Sequence, residues 1–133
     1  MPFSLDSYLG VHPDALKLQS KRTEVIADNL ANSDTPGYKA RDIDFRAAMA
    51  SAGSADAPVK LATTNPGHMT IDPNTDASAN LKYRTPLAPS LDGNTVDSQQ
   101  EQAAFAENTV RYQATLTFLS ARFKGLMTAI TGQ

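Results

Sequence analysis

One stripe of residues near the C-terminus constrains the fold of this 133-residue chain more than any other feature. Phe105, Thr109, Tyr112, Leu116, Leu119, Phe123, Leu126 and Ile130 follow one another at alternating steps of four and three. A sustained 3.5-residue repeat of this kind lies along one narrow seam of an α-helix and demands a second helix to cover it. Asp97 is placed to cap such a helix, with Gln100 where a capping-box partner belongs. Asp97, Glu101 and Glu107 precede Arg111, Arg122 and Lys124, an order that complements the helix dipole. From Ser98 to Thr131 the helix would be roughly 50 Å long at ~1.5 Å per residue. Gly125 weakens it and Gly132 terminates it.

The N-terminal segment carries a second, less regular stripe: Leu5, Leu9, His12, Leu16, Gln19, Thr23, Ile26 and Leu30. Three of its members are polar. Pro13 suits a first helical turn, so the spacing predicts a continuous helix from about His12, preceded by a separate turn. Lys17 and Lys21 repel at i,i+4, as do Glu24 and Asp28. Solvation and partners on another subunit explain these charges equally well. The helix should stop by Asn32 or Ser33, because Pro36 and Gly37 occupy the central positions of a type II turn. Ile43 and Phe45 alternate with Asp42 and Asp44, which predicts a short extended segment.

Residues 47–95 have another character. Five of the eight prolines lie here (Pro58, Pro66, Pro73, Pro86, Pro89), and Ala47 to Ala57 is rich in Ala, Ser and Gly. The expectation is an irregular region with a short strand at Leu81 to Tyr83. The fold class is therefore mainly α: long N- and C-terminal helices packed as a coiled coil, joined by an irregular Pro-rich middle with short β segments. The segments are 1–35, 36–96 and 97–133, together one assembly domain. The chain can return as an antiparallel hairpin, but two helices alone make a thin core. An ordinary bundle core and a seam between subunits account equally well for the Phe105 to Ile130 stripe.

Composition excludes several functions. The net charge of −2 supplies no basic excess for nucleic acid, and Trp is absent. With no cysteine, disulfides, thiolate zinc sites and cysteine nucleophiles are ruled out. No apolar run approaches the ~20 residues that span a bilayer. The first residues lack the pattern of a cleaved signal peptide, so composition alone reads as cytoplasmic. Neither His12 nor His68 has an acid and a nucleophile at catalytic spacing. Asp72, Asn74 and Asp76 resemble the start of a calcium loop, but Ala77 and Tyr83 stand where Gly and Glu belong. No catalytic residue, cofactor or metal is expected.

The segment from Ile26 to Lys39, Ile-Ala-Asp-Asn-Leu-Ala-Asn-Ser-Asp-Thr-Pro-Gly-Tyr-Lys, resembles the N-terminal signature of bacterial flagellar rod and hook proteins. The residues that carry it are Asn29, Ala31, Asn32, Thr35, Pro36, Gly37, Tyr38 and Lys39. Two further pieces, Asp42, Asp44 and Phe45 and then Asn94, Val96 and Asp97, are similar to the proximal-rod branch of that family. The resemblance implies a structural, non-enzymatic subunit of the basal-body rod that self-assembles to form the drive shaft and export channel for motility. Its terminal helices would pack through Leu9, Leu16, Ile26 and Leu30 together with the Phe105 to Ile130 seam. Implied partners are copies of itself, other rod proteins, the adaptor between rod and MS ring, and the flagellar type III export apparatus. The implied location is the rod in the periplasmic space, reached without a cleaved signal peptide, with no nucleic acid bound and no insertion into membrane. Another axial rod or hook subunit is the nearest rival, and a soluble helical secretion chaperone is a rival of a different class.

Overall fold

Two breaks near the N-terminus shape everything that follows. In a computed structural model, which describes residues 5–53, 65, 81–86, 88 and 90–132, a short helix α1 (Leu5–Leu9) ends at Gly10. Helix α2 (His12–Ala31) then starts afresh with Pro13 in its first turn, where a missing N–H costs nothing. It ends at Asn32, whose backbone N–H reaches back to the carbonyls of Asp28 and Asn29. The Tyr38 N–H donates to the Thr35 carbonyl at 3.2 Å across Pro36-Gly37, and Gly37 has φ 75°. That value lies in the left-handed region a glycine adopts without steric cost.

Strand β1 (Arg41–Ile43) follows and pairs antiparallel with β2 (Leu81–Tyr83), with Arg41 opposite Tyr83 and Ile43 opposite Leu81. Between them lies α3 (Phe45–Gly53). This helix corrects the sequence reading, which makes Ala47 onward irregular and puts Phe45 in an extended segment. Asp44 Oδ1 accepts the Ala47 N–H at 3.0 Å and so caps the helix start, and the Ala-rich run after it has high helix propensity. Local capping outweighs the Ser and Gly content. His68, the Asp72/Asn74/Asp76 cluster, and Pro58, Pro66, Pro73 and Pro89 lie outside the described residues.

Helix α4 (Ser98–Thr131) closes the chain. Asp97 Oδ1 accepts from the backbone N–H of Gln99 at 3.0 Å and of Gln100 at 3.2 Å. Gly132, at φ 71°, ends the helix in the left-handed conformation common at C-termini. At ~1.5 Å per residue α4 is about 50 Å long and α2 about 30 Å. The two run antiparallel, as the cross-contacts show: Asn29 meets Glu101, Gln19 and Thr23 meet Asn108, and the His12 ring meets Phe118. Farther out, the Arg122 guanidinium donates to the Tyr8 carbonyl at 2.8 Å and lies over the Tyr8 ring. On the opposite side of α2, Val25, Ile43 and Ala48 form a small core, backed by Leu18 and Leu81. The described residues therefore form a helical hairpin with a β-ribbon and one short helix packed on the C-terminal half of α2.

Candidate functional site

Two features of the hairpin could do work: a polar junction at one end and an apolar face along α4. The junction begins at Asn29, which is fully buried on α2. Its Nδ2 donates to the Arg41 carbonyl at 2.7 Å and to Glu101 Oε2 at 3.3 Å. Its Oδ1 accepts from the Arg41 N–H at 3.1 Å and from the Tyr38 hydroxyl at 3.5 Å. Four hydrogen bonds use the whole capacity of an amide side chain, so the cost of taking it out of water is offset.

Asn94 performs the matching task from the other strand of the junction. Its Nδ2 donates to the carbonyls of Asn32, Ser33 and Thr35 at 3.0, 2.8 and 3.0 Å, and its Oδ1 accepts the Val96 N–H at 2.8 Å. A helix leaves its last carbonyls without intrahelical donors, and Asn94 supplies one at the end of α2. Backbone bonds reinforce the contact: Gly37 N–H to the Asp92 carbonyl, Thr95 N–H to the Tyr38 carbonyl and Arg84 N–H to the Ala40 carbonyl. The Thr95 hydroxyl accepts the Ala40 N–H at 2.8 Å, and Lys39 Nζ donates to the Gly93 carbonyl at 2.6 Å.

Four charges lie beneath this knot. Arg22 grips Asp42 with both Nε and Nη2 at 2.9 Å. Arg84 donates at 2.6 Å through Nη2 to Asp42 and through Nη1 to Glu101, whose side chain is only 1% exposed. Two guanidiniums thus balance two carboxylates across α2, β1, the end of β2 and α4. Burial pushes the Asp42 carboxyl up, but the bonds from Arg22 and Arg84 outweigh it and hold Asp42 below the usual carboxylate range. Glu101 goes the other way, because burial there exceeds what Asn29 and Arg84 return. Every oxygen is committed to a structural donor, so the arrangement binds elements together and leaves no group poised for acid–base or nucleophilic chemistry.

The apolar face is defined by what α2 leaves uncovered. Along α4 the residues turned toward α2 are Glu101, Ala104, Asn108, Tyr112, Thr115, Leu119 and Leu126, all buried or half-buried. Of the predicted seam, Tyr112, Leu119 and Leu126 belong to this inner line. Phe105, Thr109, Leu116, Phe123 and Ile130 do not, with Leu116 44% and Ile130 79% exposed. At ~100° per residue the inner line is rotated by about 50° from the centre of the apolar stripe. On α2 and α1 the less regular stripe is the covered one: Leu9 and Ile26 are buried, and Leu16 and Leu30 are half-buried.

A model of the family described as "Flagella basal body rod protein" matches residues 9–39, the stretch that contains α2, Asn29 and the Pro36-Gly37 turn. Over the whole chain the similarity is to flagellar basal body rod proteins FlgB. The Aeromonas hydrophila protein is 43% identical over 134 residues, covering 100% of this chain and 99% of its own. The chain belongs to the FlgB family of flagellar basal-body rod proteins. The FlgB protein of Escherichia coli strain K12 is 44% identical over 130 residues, covering 95% and 94% of the two chains. That of Cereibacter sphaeroides strain ATCC 17029 is 48% identical over 125 residues, covering 94% of each.

A FlgB-family chain is a structural rod protein and not an enzyme. The junction gives the family signature residues physical tasks in this chain. Asn32 and Thr35 bond each other beyond the end of α2, Pro36 and Gly37 turn the chain, and Asp97 caps α4. Asp44 caps α3 and also pairs with Lys82 at 2.6 Å. Phe45 and Val96 are half-buried, and Ala31 is exposed at the last turn of α2. Sequence reasoning missed Arg22, Arg84 and Glu101. Nothing local marks them, since each pairs with a residue at least 17 positions away.

Proposed function

We propose that this FlgB-family chain is a structural subunit of the proximal rod of the bacterial flagellum, assembling through its terminal helices with copies of itself and with other rod proteins. The observation that carries the proposal is the uncovered half of the α4 stripe, in which Phe105, Leu116, Phe123 and Ile130 all face solvent in the single chain. Exposed apolar residues at regular helical spacing mark a surface reserved for another helix. In the rod, helices of neighbouring subunits complete a coiled coil over Phe105, Thr109, Leu116, Phe123 and Ile130, while Tyr112, Leu119 and Leu126 pack within the chain together with Leu9, Leu16, Ile26 and Leu30. Contacts that do not close on themselves propagate as a helical array, the form required of a hollow shaft.

The polar junction keeps this surface straight. It fixes both ends of the hairpin base with buried, satisfied groups, so that α4 projects as a rigid arm beyond it. The partners that fit the reading are the other rod proteins, the adaptor between rod and MS ring, and the flagellar type III export apparatus that delivers the chain to the periplasmic space. Among the described residues no helix is long and apolar enough to cross a membrane.

Deletion of the gene, followed by electron microscopy for hook-basal bodies, tests the reading, and intact rods in the deletion strain would end it. Leu116→Asp is the finer test. Because Leu116 is exposed in the chain alone, the substitution should change the stability of the isolated protein by less than about 0.5 kcal/mol. In cells it should abolish rod incorporation and swimming, since the charge would be buried at the contact. Normal swarm diameters in soft agar would refute it.

A further inference from the structure

A groove runs between α2 and α4 on the side of the hairpin where the uncovered α4 residues lie. It has a volume of about 340 Å³ and is lined by Leu16, Lys17, Ser20, Lys21, Glu24 and Tyr112. Its floor is apolar, from Leu16 and Tyr112. Its α2 wall is shallow, because Ser20 and, farther along the same side, Ala27 and Ala31 have small, exposed side chains. A groove of this shape takes a helix that brings bulk of its own.

Charge selects the occupant. Along the α2 rim Lys17 pairs with Asp14 and Lys21 with Glu24, both within the helix. Asp28, exposed one turn beyond Glu24, makes no ion pair among the described residues. From Val110 to Thr131, α4 carries Arg111, Arg122 and Lys124 and no acidic residue. Arg111 pairs with Glu107, and Arg122 is committed to Tyr8, which leaves Lys124 exposed and without an ion pair among the described residues. This same stretch supplies the bulk, with Leu116, Phe123, Met127 and Ile130 exposed.

We infer that the outer half of α4 from a second copy of this chain lies in the α2–α4 groove, its Phe123 and Met127 against the shallow wall and its Lys124 against Asp28 and Glu24. The inference rests on the reading of the chain as a self-assembling rod subunit. Asp28 and Lys124 sit toward opposite ends of one hairpin. Asn29 lies beside Glu101, and Lys124 is a further 23 residues along α4, about 35 Å away. One copy therefore cannot make this contact within itself, and in a shaft, whose contacts must propagate, the arrangement is head-to-tail. A heterologous contact of this kind extends from copy to copy, whereas an isologous one would stop at a dimer.

The absence of cysteine makes the test clean. Strains whose only copy carries Asp28→Cys, Lys124→Cys or both are oxidised while swimming, and the protein is examined by non-reducing immunoblot. The double variant should give a ladder of multiples, each single variant no dimer, and the two single variants expressed together one dimer. Two cysteines about 35 Å apart cannot bridge within a chain, because a disulfide needs Cα atoms within ~7 Å. Dimers from either single variant, adducts only to a different protein, or no adduct in strains that build normal hook-basal bodies would overturn the inference. If the cysteine variants fail to assemble, charge exchange decides: Asp28→Lys and Lys124→Asp should each stop swimming, and the combination should restore it to at least half the wild-type swarm rate. Failure of that rescue overturns the contact. Rod loss in the deletion strain without a ladder or rescue would leave the rod reading intact and defeat this contact alone.

Discussion

Helices α2 and α4 carry stripes of the same spacing, and the structure uses them in opposite ways. The stripe on α2 is interrupted by His12, Gln19 and Thr23, yet it is the one covered within the chain. The stripe on α4 is more regular and more apolar, yet half of it is left in solvent. Apolar regularity announces that a face is kept for helix contact. The polar members decide which contact is made at home: Asn108 donates at 2.8 Å to both the Gln19 carbonyl and the Thr23 hydroxyl, and Glu101 meets Asn29. A polar side chain pairs with few geometries, whereas an apolar one accepts many, so the mixed stripe specifies a single intrachain register.

The contrast is most easily broken at Ile26, which is 0% exposed. Ile26→Ala should cost about 2–5 kcal/mol in urea unfolding, the range for emptying a packed site. A cost as small as that of an exposed α4 residue would mean that α2 does not carry the core. Next in size is Asn94→Ala, which strips the carbonyls of Asn32, Ser33 and Thr35 of their donor and should cost about 1–3 kcal/mol. Amide exchange should then quicken in the last turn of α2 before it quickens elsewhere.

Asn108→Leu sharpens the comparison. Among the described residues its Oδ1 is buried without a partner, as is Gln19 Oε1, so the amide is only half satisfied there. The Leu variant should be as stable as the wild type or up to about 1 kcal/mol more so. It should also populate higher oligomers in analytical ultracentrifugation, because the polar tie that keeps α4 in register on its own α2 is gone. A strictly monomeric Leu variant would mean that the tie has no part in choosing partners.

The smallest effect is on pH. Asp42 is held low in the folded chain, so its contribution is present at neutral pH and is lost as pH falls below the usual range of about 4. Glu101 is held high, so the folded state takes up its proton first, and stability gains slightly as pH falls toward that range. Thermal melts from pH 7 to pH 3 should therefore show a shallow maximum on the acid side of neutrality before the fall. Glu101→Gln should remove the maximum and leave the fall.

How much of this the sequence discloses follows from the range of each interaction. Asp97, Gly132, Pro36-Gly37 and the break before His12 act within a few residues, and each lies where its local chemistry predicts. The strand at Leu81 to Tyr83 also lies where the sequence reading expects it, although its partner β1 is distant in sequence. Helix α3 was hidden because Asp44 reads as one member of an alternating pattern rather than as a cap. The junction was hidden because its parts are scattered. Arg22, Asp42, Arg84 and Glu101 become neighbours only when the ribbon and both long helices are in place, and no spacing rule joins them. The inner line of α4 was missed because Glu101 and Asn108 are polar, and a search for apolar periodicity passes over them.

Asn94 has a consequence for how the chain reaches this state. It completes the end of α2 from about 60 positions downstream, so the final turn of that helix cannot be finished during local folding. Closing the hairpin joins groups far apart in sequence, and of the intervening chain it is β1, α3, β2 and Arg84 that take part in the packing. Closing a loop twice as long costs only about 0.6 kcal/mol more. The stretch between α3 and β2 can therefore lengthen, shorten or drift in sequence among descendants without disturbing the junction, which makes it the natural place for this lineage to vary.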